Sequence, residues 1–167
     1  DGLDELVRSS RIIILQLEIP TGVVEHIIRK AKQYHVYTIL NAAPAKEMDR
    51  EVLKMVDCLI VNETEASFYA GADMTDGDMV RAHADRLRQL TDGTVIVTLG
   101  SKGSMLLGQE GAVAIDPVKV ERVTESTGAG DSYIGAFAYG KFKGMTDLQA
   151  CCFAARAASV TVTKIGA

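Results

Sequence analysis

Residues 11–40, Arg11-Ile-Ile-Ile-Leu-Gln-Leu-Glu-Ile-Pro20-Thr-Gly-Val-Val-Glu-His-Ile-Ile-Arg-Lys30-Ala-Lys-Gln-Tyr-His-Val-Tyr-Thr-Ile-Leu40, hold the pattern on which the fold reading turns. Arg11 to Leu15 is a short β-branched run and reads as a buried strand. Pro20-Thr21 opens a helical period that runs to about His35, with Val24, Ile27, Ile28 and Ala31 on one face. Val36 to Leu40 is a second strand-like run. Strand, helix and strand at this spacing predict two parallel neighbours joined by a crossover helix.

The same alternation continues outward. Asn41 to Lys46 reads as a loop, Met48 to Met55 as a short helix, Cys58 to Val61 as a strand and Glu63 to Ala70 as a helix. Gly77 to Leu90 reads as one helix with Met79, Val80, Ala84 and Leu87 on its apolar face, and Thr94 to Thr98 as a fourth strand. The pattern then changes. Ser104–Leu107 and Ala112–Ile115 flank Gly108-Gln-Glu-Gly111 and predict a hairpin. Gly128–Phe142 and Asp147–Thr163 predict two Ala-rich helices. The class is α/β, a mainly parallel sheet with helices on its faces, and the near-continuous apolar strands fit a sheet covered on both sides.

A chain of 167 residues fits one domain spanning 1–167. There are 18 Lys plus Arg against 22 Asp plus Glu, a net charge of −4, which argues against nucleic-acid or anionic-membrane partners. No apolar run approaches the ~18 residues of a membrane helix. Cys58, Cys151 and Cys152 form no Cys-x-x-Cys pair, so they are expected to be reduced thiols on buried faces of a cytoplasmic protein. The start, Asp1-Gly-Leu-Asp without Met, is what a fragment of a longer enzyme would show.

In parallel sheets ligands bind beyond the carboxyl ends of the strands. Four segments follow the predicted strands there: Gln16-Leu-Glu18, Asn41-Ala-Ala-Pro44, Asn62-Glu-Thr-Glu65 and Leu99-Gly-Ser-Lys-Gly103. Each carries polar or glycine chemistry, and four in register at one edge point to a site. The sharpest segment is Thr127-Gly-Ala-Gly-Asp-Ser132, which leads into an apolar helix. A helix start of small residues exposes unpaired N–H groups and the positive end of the dipole, an anion site. Asp131 there has two readings: a carboxylate that caps the helix, or a general base that takes a proton from a hydroxyl attacking phosphorus. Asn62 and Glu65 likewise match a capping box. The Gly-rich run lacks the Gly-Lys-Ser/Thr of a Walker A loop, and Tyr133 occupies the position where a dinucleotide fingerprint needs Gly or Ala.

These segments, in this order, resemble the ribokinase (phosphofructokinase B-like) superfamily. Val123-Thr-Glu-Ser-Thr-Gly-Ala-Gly-Asp131 looks like its Asp-Thr-x-Gly-Ala-Gly-Asp signature, Asn62 to Glu65 like its Asn-x-x-Glu motif, and Thr98 to Gly103 like its nucleotide-binding loop. Leu15–Pro20 and Asn41–Ala45 look closer to the ribose-specific branch, and Ser159–Ala167 also follows the family. The resemblance implies a three-layer αβα fold that lacks the family's N-terminal part and lid, and ATP-dependent phosphorylation of a sugar hydroxyl, ribose to ribose 5-phosphate. A fructose, ketodeoxygluconate or nucleoside kinase of the superfamily is the alternative, as is a non-catalytic nucleotide-binding module.

The resemblance also implies roles. Asp131 is the base and contacts the sugar, and Gly128, Ala129 and Gly130 form the anion hole. Asn62 and Glu65 order Mg²⁺ and its waters, while Thr98, Gly100, Ser101 and Gly103 line the ATP. Glu18 hydrogen-bonds the sugar, and Glu125 and Thr127 help hold K⁺. The family has Asp and Thr where this chain has Glu125 and Ser126; the carboxylate is kept but is one methylene longer. Pairing of the full-length enzyme as a homodimer would use lid strands that this chain does not contain. His26, His35, His83 and Lys102 read as solvent-facing or structural, Arg81, Asp85, Arg86 and Arg88 as a solvated helix face, and Tyr133 and Phe137 as core.

Overall fold

In the computed structural model, which describes residues 2–109 and 111–164, strands β1 (Ile12–Gln16), β2 (Tyr37–Asn41), β3 (Cys58–Asn62), β4 (Thr94–Thr98), β5 (Ser104–Gly108) and β6 (Gly111–Ile115) pair in sequence order. The first four are parallel, and β4, β5 and β6 turn antiparallel. Glu110 in the predicted hairpin turn, Asp1, and residues 165–167 of the closing stretch lie outside the described residues. The α/β, three-layer arrangement and the mainly parallel sheet stand as expected.

Side chains alternate across a strand, and the burial follows that period on both faces. Leu59 and Val61 of β3, and Val95 and Val97 of β4, enter one core with Leu40. Cys58 and Ile60, Ile96 and Ile39 enter the other. The first core is covered by α2 (Thr21–Gln33), α3 (Arg50–Lys54), α4 (Glu63–Ala70), α5 (Gly77–Ala82) and α6 (Ala84–Arg88), whose Val24, Ile28, Val52, Leu53, Ala66, Val80 and Leu87 are buried in it. The second is covered by α7 (Ala129–Phe142) and α8 (Asp147–Thr161) through Tyr133, Ile134, Phe137, Ala150, Cys151 and Ala154. Fully burying a side chain such as Phe137 contributes about 1.5–3 kcal/mol.

Four expectations need correction. The expected buried strand, Ile12–Gln16, lies at the sheet edge among the described residues: Ile14 is 45% exposed, although its register partner Ile39 is fully buried. The helix expected over 77–90 is two short helices broken at His83 (φ −114°, ψ 16°). The bend lets Val80 and Leu87 both reach the core, while Met79, placed on the apolar face by its spacing, is 43% exposed. Cys152 is exposed, whereas Cys58 and Cys151 are buried. A helix, Gly2–Ser9, precedes β1 and packs Val7 against Ala31 and Val36. Its single buried residue left too little period to be read from sequence.

Candidate active site

The last residues of the parallel strands form a polar row at one edge of the sheet. Gln16 stands opposite Asn41, and Asn62 stands opposite Thr98. The loops after β1 and β2 are joined by Leu17 N–H donating to Ala43 C=O at 2.9 Å. Glu18, two residues beyond Gln16, is exposed on that rim.

Two helices begin at this edge, each with an acid three residues after its N-cap. In α4 the cap is Asn62 and the acid is Glu65. The box is closed in both directions: Glu65 N–H donates to Asn62 Oδ1 at 3.0 Å, and Asn62 N–H donates to Glu65 Oε2 at 2.8 Å. Asn62 Nδ2 adds a third bond to Glu65 Oε1 at 2.9 Å. The capping role is therefore realised. Glu65 is buried, 5% exposed. Burial pushes its carboxyl above the ordinary value; the bonds from Asn62 oppose that, and the nearby Glu63 charge adds to it.

In α7 the cap is Gly128, held at φ 74°, a left-handed conformation that glycine adopts without strain, and it offers no side chain to close a box. Ala129 N–H turns back to Ser126 C=O at 3.3 Å. The N–H groups of Gly128, Gly130 and Asp131 find no backbone acceptor among the described residues. A Cβ built on Gly130 would meet nothing within 4 Å, so the helix start opens onto free space. Asp131 is exposed and does not cap its own helix. Its Oδ1 instead accepts a hydrogen bond from Gln16 Nε2 at 3.3 Å, across 115 residues of chain. The acid thus stands at the strand-end edge and not inside the fold.

Thr98 closes β4, and Gly100–Lys102 forms one 3₁₀ turn before β5. Leu99 N–H donates to Gly103 C=O at 2.8 Å, so residues 98–103 are a closed hairpin turn. Gly103 has φ 91°, and a Cβ there would lie 2.2 Å from Ile115 C=O; the turn can pack this closely only with glycine. Ser101 is exposed on it. Glu63, to which the sequence reading assigned nothing, has Oε1 3.9 Å from where a Cβ of Gly100 would sit. It brings a second carboxylate to the turn that Asn62 and Glu65 flank. Lys102 is bound to protein, donating to Thr75 C=O at 3.0 Å.

Residues 116–128 have no regular structure, yet they are tied down at one place. Thr124 and Glu125 N–H both donate to Val162 C=O, at 2.7 and 3.3 Å. Ser132 beside the acid bonds Thr161 Oγ1 at 2.7 Å. The C-terminal end of α8 therefore holds both the run carrying Glu125 and Thr127 and the first turn of α7. Thr161 was not foreseen in this role, because Ser132 lies 29 residues away in the chain. Three further perturbed groups, Cys58, Tyr133 and Cys151, belong to the second core. Burial raises the Cys58 thiol and pushes Cys151 up to about 12, and Tyr133 is buried against Ser104 with its hydroxyl at 3.0 Å. These are poor nucleophiles and read as packing.

A model of the pfkB family of carbohydrate kinases matches residues 4–167. Ribokinase of Staphylococcus aureus is 32% identical over 164 residues, covering 98% of this chain and 54% of that protein. Deoxyribokinase of Salmonella typhimurium is 33% identical over 140 residues, 83% of this chain and 45% of that protein. The structure of Arabidopsis thaliana ribokinase complexed with ribose and ATP superposes with a TM-score of 0.92 at 32% identity, over 100% of this chain and 54% of that one. The chain spans about half the length of these relatives. By the family match and by the agreement of fold, the chain belongs to the pfkB family of carbohydrate kinases.

Proposed function

We propose that residues 1–167 work as one ATP-binding and catalytic α/β unit of a sugar kinase, moving the γ-phosphoryl group of ATP to a hydroxyl of ribose to give ribose 5-phosphate. The observation that carries this is Asp131: an exposed carboxylate in the first turn of a helix whose N–H groups lie open at the strand-end edge. Family membership and the ribose- and ATP-bound relative support the substrate class.

The chemistry balances simply. The sugar hydroxyl gives its proton to Asp131 as its oxygen bonds to the γ-phosphorus. The bond from that phosphorus to the β–γ bridging oxygen breaks, and ADP leaves. Gly128, Ala129 and Gly130 N–H stabilise the charge on the transferring group; one such donor typically contributes about 3–4 kcal/mol. Ala129 must first give up its long bond to Ser126. Thr98, Gly100, Ser101 and Gly103 line the nucleotide, and Glu18 hydrogen-bonds the sugar.

Mg²⁺ would neutralise phosphate charge, and the all-oxygen donor set near Asn62, Glu63 and Glu65 fits it. Both Glu65 oxygens already accept from Asn62, so Glu65 would act on metal-bound waters and not as a direct ligand. That suits a metal carried largely by phosphate oxygens. Among the described residues no group of three His, Cys, Asp or Glu could hold a metal on its own. Glu125 and Thr127 offer carboxylate and hydroxyl oxygens to K⁺. No described helix is long and apolar enough to cross a membrane, and the reading assigns the enzyme to the cytoplasm.

The test is a phosphorylation assay of the complete gene product with ribose, 2-deoxyribose, fructose, ketodeoxygluconate and nucleosides as acceptors. Ribose should give the highest kcat/KM. Clear turnover of another acceptor without ribose turnover refutes the substrate. ATP binding by calorimetry with no transfer to any acceptor favours the non-catalytic nucleotide-binding reading.

A further inference from the structure

We infer that Gln16 is the positioning residue for the base: its side-chain amide holds one oxygen of Asp131 and leaves the other to meet the sugar hydroxyl. This rests on the kinase reading above, and it adds a residue to which that reading gives no role.

The argument begins with what Asp131 lacks. An acid at this position of a helix usually finds its partner at the cap, as Glu65 does with Asn62. Gly128 has no side chain to offer, and Asp131 does not cap α7. An exposed carboxylate without a partner samples several rotamers, and few of them suit proton transfer, which needs reach of about 2.6–3.2 Å. Gln16 supplies the partner. It is the last residue of β1, its backbone is fixed in register opposite Asn41, and its side chain is half-buried. From there Nε2 reaches Oδ1 at 3.3 Å. The bond links a strand end to a helix start 115 positions away, so it fixes the acid relative to the sheet edge, where the sugar must lie.

The type of residue fits the task. An amide donates a hydrogen bond without bringing a charge. A lysine or arginine at 16 would pair with the carboxylate and oppose its uptake of a proton. A second acid at 16 would give no donor at neutral pH. Glutamine holds Oδ1 and leaves the lone pairs of Oδ2 open to a hydroxyl donor.

The test uses the complete gene product and a double-mutant cycle. Gln16→Leu keeps the size of the side chain and removes the donor. It should lower kcat about tenfold, a part of the 10²–10⁴-fold that a base contributes, while KM for ATP stays within about twofold. The decisive readout is the cycle. In an Asp131→Asn background, Gln16→Leu should change kcat little further, because a positioning residue has nothing left to position. If Gln16→Leu lowers kcat equally in both backgrounds, its role is structural and the inference falls. If Asp131→Asn is severely impaired but Gln16→Leu matches wild type, the base reading stands and the positioning role alone is overturned. If Asp131→Asn itself turns over like wild type, both fall. Should Gln16→Leu fail to fold by circular dichroism, Gln16→Glu carries the same prediction, since it keeps the length and loses the amide donor.

Discussion

The starts of α4 and α7 use the same ingredients and reach opposite ends. Both lie at the carboxyl edge of the sheet, and both place an acid three residues past the cap. In α4, Asn62 and Glu65 satisfy each other with three hydrogen bonds, and Glu65 is buried. In α7, glycine stands at the cap, the first N–H groups stay open, and Asp131 is exposed. An acid at a helix start is buried where the cap can answer it, and is left exposed where the cap cannot. The largest test of that contrast is Asp131→Asn, which keeps shape and removes the base. It should lower kcat about 10²–10⁴-fold with ATP affinity by calorimetry nearly unchanged. Steady-state kinetics giving wild-type turnover would place Asp131 with Glu65, as a merely structural acid.

That contrast also marks how far the sequence could be read. The strand–helix alternation and the strand-end loops were legible because apolar period and glycine placement are local signals. Glu63–Ala70 and Thr94–Thr98 fall where the period puts them. The capping box of Asn62 and Glu65 was legible for the same reason, being four residues long. What local pattern could not carry was the choice between cap and base at Asp131. The contact that bears on it comes from Gln16, 115 residues earlier. The edge status of β1 was hidden too, because Ile12, Ile13 and Ile14 look like any buried run, and exposure depends on what lies beside the strand. The break at His83 sits in a window whose apolar spacing suits one helix or two, and only packing of Val80 and Leu87 decides it. The Asn-x-x-Glu and Gly-rich motifs lie at the strand-end edge of the sheet; the long-range contacts at Gln16, Glu63 and Thr161 were out of reach.

A second test gives α7 the kind of cap that α4 has. Asparagine tolerates the left-handed conformation that Gly128 adopts at φ 74° better than other non-glycine residues. Gly128→Asn should therefore fold, at a cost below about 1 kcal/mol. Its side chain would occupy the open donors of the first turn, and kcat should drop about tenfold to a hundredfold, toward the loss seen when one such donor is removed. Unchanged kinetics with the variant folded would mean that these N–H groups do not meet the transferring phosphoryl group.

The reciprocal change opens α4. Asn62→Ala removes the Nδ2 donor to Glu65 Oε1 and the Oδ1 acceptor of Glu65 N–H, keeps the backbone donor to Oε2, and leaves a buried carboxylate short of a bond. Loss of such a cap costs about 1 kcal/mol, and an unsatisfied buried acceptor adds about 1–3 kcal/mol. Thermal unfolding without nucleotide should show a midpoint lower by about 4–16 °C. A midpoint equal to wild type would mean that the box contributes nothing, and that α4 is held by Ala66 and Ala70 in the core alone.

The smallest effect tests the buried acid of α4 by its response to pH. Burial raises the Glu65 carboxyl above its ordinary 4.5 in the folded chain, against the opposing pull of Asn62. Between the unfolded and folded values the native state therefore holds more proton than the unfolded state, and stability must fall as pH rises through that window. The contribution is complete below pH 4.5 and is lost above the folded value. Gln at 65 cannot titrate, so the difference in unfolding free energy between wild type and Glu65→Gln isolates this group; other acids cancel in the subtraction. Urea denaturation without Mg²⁺ or nucleotide, from pH 4.5 to neutrality, should show wild type losing ground to the variant. A difference that grows with pH instead would mean that the bonds from Asn62 outweigh burial. The closed helix start would then favour a charged acid in spite of its burial, and burial would no longer set Glu65 apart.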